Sequence, residues 1–165
     1  LHFRQGEVMA KLAQPCVDSL PAFKSKELAS ILWSYASMSF RDEHHTRTDS
    51  QLFLKISDQL AKRASDFDAQ GLSNLIWSYA NMLHYPSEQL LQKTVDRMRS
   101  LLSRFTPQEL SNVLWALERL CYSEGASFVG DWLEIAGAKA LHEWSGEQLL
   151  KLAEYFQAFA ADSVA

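Results

Sequence analysis

One block of sequence recurs in register along the chain, and that recurrence restricts the fold more than any other feature. Phe23-Lys-Ser-Lys-Glu-Leu28-Ala-Ser-Ile-Leu-Trp33 aligns without gaps on Phe67-Asp-Ala-Gln-Gly-Leu72-Ser-Asn-Leu-Ile-Trp77 and on Phe105-Thr-Pro-Gln-Glu-Leu110-Ser-Asn-Val-Leu-Trp115. A weaker fourth copy runs Trp144-Ser-Gly-Glu-Gln-Leu149-Leu-Lys-Leu-Ala-Glu154. Trp33 and Trp77 are 44 residues apart, Trp77 and Trp115 are 38 apart, and the opening aromatics Phe105 and Trp144 are 39 apart. A period near 40 marks a supersecondary unit that buries its apolar face only by stacking on its neighbours. The expected architecture is all-α: an α-solenoid of paired antiparallel helices, with about four repeats of 38–44 residues. Such a chain works through an extended surface.

Each unit announces its first helix. In Phe105-Thr106-Pro107-Gln108-Glu109, Thr106 can cap, Pro107 suits the first helical position and Glu109 completes a capping box. Ser145 and Gln148 repeat the device, Asp68 suits the cap of the second copy, and in the first copy Ser25 stands in for the unsuitable Lys24. The pairs Phe23/Leu28, Phe67/Leu72, Phe105/Leu110 and Trp144/Leu149 have the spacing of hydrophobic staples. A period near 3.6 follows, placing Leu28, Ile31, Leu32, Tyr35 and Ala36 on one face, with Leu72, Leu75, Ile76, Tyr79 and Ala80 as their counterparts. A second amphipathic segment closes each unit, marked by Leu52, Ile56 and Leu60, by Leu90, Val95 and Met98, and by Phe128, Trp132, Ile135 and Ala136.

The domain reading is one helical-repeat domain over 1–165. Residues 5–20 form the second helix of a preceding unit, and repeats cover about 23–66, 67–104, 105–143 and, in part, 144–165. Opening on half a repeat at Leu1 fits either a removed targeting segment or a piece of a longer protein. With 47% hydrophobic residues, 165 residues suffice for one continuous core. No run of 18 apolar residues offers a membrane span. Cys16 and Cys121 have no pairing pattern, which favours a reducing compartment. The insertion at 40–50, with Thr48 and Gln51 spaced to cap the helix after it, accounts for the longer first period. Its Asp42, Glu43, His44 and His45 are consecutive loop residues that rarely converge on one ion, so a solvated loop is expected and no metal.

Leu72-Ser-Asn-Leu-Ile-Trp77-Ser-Tyr-Ala-Asn-Met-Leu83 and Pro107-Gln-Glu-Leu-Ser-Asn-Val-Leu-Trp115-Ala-Leu-Glu-Arg-Leu120 resemble the octotricopeptide repeats of algal organelle proteins. They are equally similar to heptatricopeptide repeats and to the helical arrays preceding RAP domains in apicomplexan and FAST-kinase-like mitochondrial proteins. The resemblance spans residues 23 to about 160. It implies paired-helix repeats acting on organellar RNA, messenger or ribosomal, with mitochondrial localisation and plastid as the alternative. The Pro-Glu-Trp signature of many octotricopeptide units is absent, and Glu154 takes the place of tryptophan in the last copy.

RNA readout by repeats needs two or three variable polar side chains per unit and cations along the backbone track. A polar stripe on the first helices offers Ser30, Ser34 and Ser37, then Asn74, Ser78 and Asn81, then Asn112, Ala116 and Arg119, then Lys151, Tyr155 and Ala158. These positions vary while the apolar frame holds, as base-reading or a plain solvent face would both allow. Lys93, Arg97, Arg99 and Arg104 form the best basic cluster, with Lys62 and Arg63 one unit earlier. The candidate RNA-contacting residues are thus Ser30, Ser34, Asn74, Ser78, Asn81, Asn112, Arg119, Lys93, Arg97 and Arg104. Against a strong electrostatic grip stands a net charge of −4, concentrated in residues 118–165, which carry eight acids and three bases. The recurring tryptophans, beside the apolar stripe, are expected to pack repeats together rather than to stack on bases.

No glycine-rich phosphate loop, Cys-Xaa-Xaa-Cys, His-Glu-Xaa-Xaa-His or Gly-Xaa-Ser-Xaa-Gly occurs, so neither an enzyme nor a cofactor is expected. Two functions stay open. One is a non-catalytic organellar RNA-binding repeat protein; the other is a scaffold subunit of a large mitochondrial or plastid assembly, ribosomal, respiratory or photosynthetic, that binds mainly protein.

Overall fold

The computed structural model describes residues 5–39 and 47–162. Among them are eight α-helices, three 3-10 turns and no strand: α1 Gln5–Ser19, α2 Ser25–Ser39, α3 Arg47–Arg63, α4 Ala69–Asn81, α5 Glu88–Arg99, α6 Pro107–Arg119, α7 Gly125–Leu141 and α8 Gly146–Asp162. Short 3-10 turns at Leu20–Ala22, Ala64–Asp66 and Leu102–Arg104 lead into α2, α4 and α6, so each repeat opens through the same joint. Helices α2, α4, α6 and α8 form one layer and α1, α3, α5 and α7 the other. The first layer is the more tightly packed, above all between α2, α4 and α6. The architecture is an all-α solenoid.

Local chemistry explains where the helices start. Thr106 and Glu109 form the reciprocal capping box, with the Glu109 N–H donating to the threonine hydroxyl and the Thr106 N–H to the glutamate. Ser145 and Gln148 make the same exchange, and the Asp68 carboxylate accepts from the Gly71 N–H. The first copy differs from expectation: α2 begins at Ser25 itself, and the Lys24 N–H is satisfied by the Glu27 carboxylate at 2.7 Å. Helix α3 begins at Arg47, one residue before the threonine expected to cap it. Asp42, Glu43, His44 and His45 lie outside the described residues.

The predicted apolar face becomes the core. Leu28, Leu32, Leu72, Ile76, Leu110, Leu114 and Leu117 are fully buried, as are Leu52, Ile56, Leu60, Val95 and Met98 from the second layer. Tyr79 enters this core with its hydroxyl hydrogen-bonded to Ser57 and its ring against Phe53 and His84, and burial raises its pKa, keeping the phenol neutral. Trp132 and Trp144 pack the last helix pair, ring centroids 5.2 Å apart. Ile135, expected on the buried stripe of α7, is exposed; the core of that helix is Phe128, Val129 and Trp132. Leu149 is also partly exposed despite its staple spacing from buried Trp144.

The ends of α4 and α6 are handled identically. Leu83 (φ 50°) and Cys121 (φ 52°) occupy the left-handed conformation six residues after Trp77 and Trp115. His84 N–H then donates to the Tyr79 carbonyl and Tyr122 N–H to that of Leu117, as in a Schellman motif. Glycine is the residue this conformation favours. Replacing Leu83 or Cys121 by glycine is expected to stabilise the fold by about 0.5–1 kcal/mol each, relief of the left-handed strain being partly offset by the flexible unfolded chain. A glycine is already required elsewhere. A Cβ on Gly125, at the start of α7, would sit 2.3 Å from the Phe159 ring of α8. Gly125→Ala is therefore expected to lower stability by about 1–3 kcal/mol as overpacking, measured by urea denaturation.

Candidate nucleic-acid interface

Helix phase and burial together define the outward face of the first-helix layer. At about 100° per residue, Lys26, Ser30, Trp33 and Ser37 of α2 share one side, away from buried Leu28, Leu32 and Tyr35. Gln70, Asn74, Trp77 and Asn81 are their counterparts on α4, and Gln108, Asn112, Trp115 and Arg119 those on α6. Every one of these twelve side chains is exposed or half-buried. They form four rows running across the helices.

The tryptophan row is continuous. Trp33 and Trp77 have ring centroids 6.3 Å apart at 35°, and Trp77 and Trp115 repeat that at 6.2 Å and 34°. The Arg119 guanidinium sits over the Trp115 ring, 5.5 Å from its centroid, which ends the row with a cation. The rings do pack repeat against repeat, as the sequence suggests, but they do so at the surface. Trp33 is 46% exposed.

The candidate residues read from the polar stripe separate into three groups. Ser78 is fully buried, its hydroxyl donating to the Asn74 carbonyl, and so does not reach the face. Only the middle position of the stripe is out of phase, by one residue: Trp33, Trp77 and Trp115 take its place on the face, and Ala116 is the buried equivalent of Ser78. Ser34 shares that position but is half-buried, because no first helix precedes α2 among the described residues; its hydroxyl donates to the Ser30 carbonyl. Ser30 is exposed and bonds back to the Lys26 carbonyl.

Asn81 and Arg119, at equivalent positions, make equivalent bonds. The Asn81 amide donates to the Ala36 carbonyl at 2.9 Å, and the Arg119 Nε to the Ala80 carbonyl at 3.1 Å. Both tie the end of a first helix to the first helix of the repeat before it. Asn74 and Asn112 are half-buried on the face, with Asn112 accepting from Gln108. They and the tryptophans are the residues the fold brings together.

The basic cluster belongs to the other layer. Arg97 donates to the Phe67 carbonyl that opens its own repeat, as Arg63 does to that of Phe23, and Lys93 donates to the Ala61 carbonyl. Arg99 pairs with Asp131 and Glu124, joining α5 to α7. Arg104 is exposed on the turn before α6. Lys62 and Lys93 share a shallow depression with Asp58 and Gln89. None of these cations stands on the tryptophan face. Lys26, Gln70 and Gln108 were missed in sequence, although they continue the polar row one turn toward each helix start.

The fold and its face define a helical-repeat protein that displays a row of neighbouring indoles flanked by amides and hydroxyls. Residues 42–125, just over half of the chain, match the model of the RNA-editing substrate-binding complex 6 protein family, and the chain belongs to that family. No curated protein and no solved structure matches it. Among the described residues no helix is long and apolar enough to cross a membrane.

The bonds on this face predict unequal effects of alanine substitution. Asn81→Ala is expected to lower stability by about 1 kcal/mol, the loss of one inter-repeat hydrogen bond. Asn112→Ala is expected to stay within about 0.5 kcal/mol, as an ordinary surface change. Equal losses in urea denaturation would contradict the assignment.

Proposed function

We propose that this protein is a non-catalytic RNA-binding repeat subunit of an organellar RNA-editing assembly, working in mitochondria, and that its RNA-contacting surface is the tryptophan face. Membership of a family named for an RNA-editing substrate-binding complex supports the biological setting. The likeness to octotricopeptide-type arrays supports organellar, single-stranded RNA. The single observation that carries the site is the surface row Trp33–Trp77–Trp115, exposed at Trp33 and half-buried at the other two, whose flanking rows on α2, α4 and α6 hold amides, hydroxyls and the cations Lys26 and Arg119. Aromatic faces stack on any base, and amides reach base edges.

Protein neighbours belong to the same picture. Leu149, Leu150 and Phe156 expose a patch on α8 that suits a protein contact in a multi-subunit complex, and a mainly scaffolding role rests on that patch. A salt titration of binding to single-stranded RNA separates the two. Contact through the tryptophan face engages two cations and is expected to give a log–log slope no steeper than about −1.4. A slope of about −3 or steeper would transfer the contact to Lys93, Arg97, Arg104 and their neighbours. Absence of binding at low salt would leave the scaffold role.

A further inference from the structure

We propose that the tryptophan row is a stacking platform for consecutive unpaired bases that is stopped between α6 and α8. This rests on the RNA-binding reading above and deepens it by assigning the substrate class, a short single-stranded segment without strong sequence preference, and the residues that limit the site.

The two sides of the platform differ. The steps from Trp33 to Trp77 and from Trp77 to Trp115 are nearly identical in distance and tilt, so the three rings form one regular array. On the α2 side Trp33 is the most exposed of the three. At the α6 end the Arg119 guanidinium occupies the Trp115 ring. One repeat further on, the position that would carry a fourth ring is Glu154, exposed on α8. The position equivalent to Asn74 and Asn112 is Lys151, already paired with Glu147 at 3.1 Å. A strand following the array past Arg119 would therefore bring its phosphates toward the carboxylate of Glu154, the Glu147 charge being matched by Lys151. Repulsion ends the track where the rings end.

Chemistry favours unpaired RNA over a duplex or a peptide. In a duplex the bases are already stacked on each other and offer only their edges, whereas an unpaired base can lay its π-face on an indole. The flanking rows are amides, hydroxyls and two cations, which pair with base edges and phosphates.

The test is a length series of single-stranded adenosine oligoribonucleotides, with a duplex as comparator, followed by anisotropy and by quenching of tryptophan fluorescence. Affinity of the native protein is expected to rise with length and then to level off where the rings end, with the duplex bound more weakly. Trp33→Ala is expected to weaken binding roughly 5- to 150-fold, the loss of one base–aromatic stack, and to reduce the quenching. Glu154→Trp is expected to move the plateau about one nucleotide longer; position 154 is exposed, so this variant remains informative if Trp33→Ala alters helicity. Native protein that binds RNA with a plateau insensitive to both variants would overturn the platform while leaving the RNA-binding reading standing. Equal affinity for the duplex would overturn it too. Failure of the native protein to bind any oligomer would remove both.

Discussion

Everything distinctive in this protein follows from how closely its first helices approach one another. Adjacent members of that layer meet through small side chains: Ala29, Ala36, Ser73, Ser78, Ala80 and Ala116 are all essentially inaccessible. Small residues on facing sides allow the backbones to come together, and ridges then interdigitate with little free volume. Ser73 uses the proximity to donate to the Glu109 carbonyl at the start of the next first helix. The same approach brings neighbouring indoles on three successive first helices to 6.3 and 6.2 Å. A looser layer would leave the tryptophans as isolated surface rings.

Polar side chains in this fold are spent mainly on backbone. Arg63 and Arg97 hold the carbonyls of Phe23 and Phe67, while Asn81 and Arg119 hold those of Ala36 and Ala80. The first pair closes each repeat on itself and the second joins it to its predecessor. Carbonyls at helix ends and in turns lack intrahelical partners, so a repeating chain meets the same need at the same place in every unit. That is why residues with the periodicity of a recognition code are partly architectural. What remains for a ligand is what periodicity repeats but the joints do not consume: the indole row, Asn74, Asn112, Lys26 and the glutamines beside them.

The two layers accordingly divide the work. Second-layer cations stabilise turns and pair with acids on α7, which fits a chain with little electrostatic pull on nucleic acid overall. The first layer presents aromatic and amide groups, whose attraction for unpaired bases is short-ranged and indifferent to net charge. The acidic balance of residues 118–165 then reads as a boundary rather than as an argument against RNA, since Glu147 and Glu154 lie beyond the last indole. The exposed apolar side chains Leu149, Leu150 and Phe156 of α8 lie in that same acidic stretch.

Much of this was legible in the chain itself. Aromatic–cap–Glu spacing located α6 and α8, and Leu28, Leu72 and Leu110 announced the buried stripe, because capping and amphipathicity depend on residues a few positions apart. The phase of the polar stripe was legible only to within one residue. Ser78 and Trp77 are neighbours in sequence, and whether a side chain some 100° round a helix meets solvent depends on where the next helix lies. Tertiary structure alone decided that Ser78 is buried and Trp77 half-open, that Asn81 and Arg119 bond across repeats, and that the basic helix faces carry turn carbonyls. The sequence by itself determined the repeat, its helices and its core, since those follow from local periodicity. The surface that faces a ligand is set by contacts between residues some 40 apart, and only the stacked fold brings those residues together.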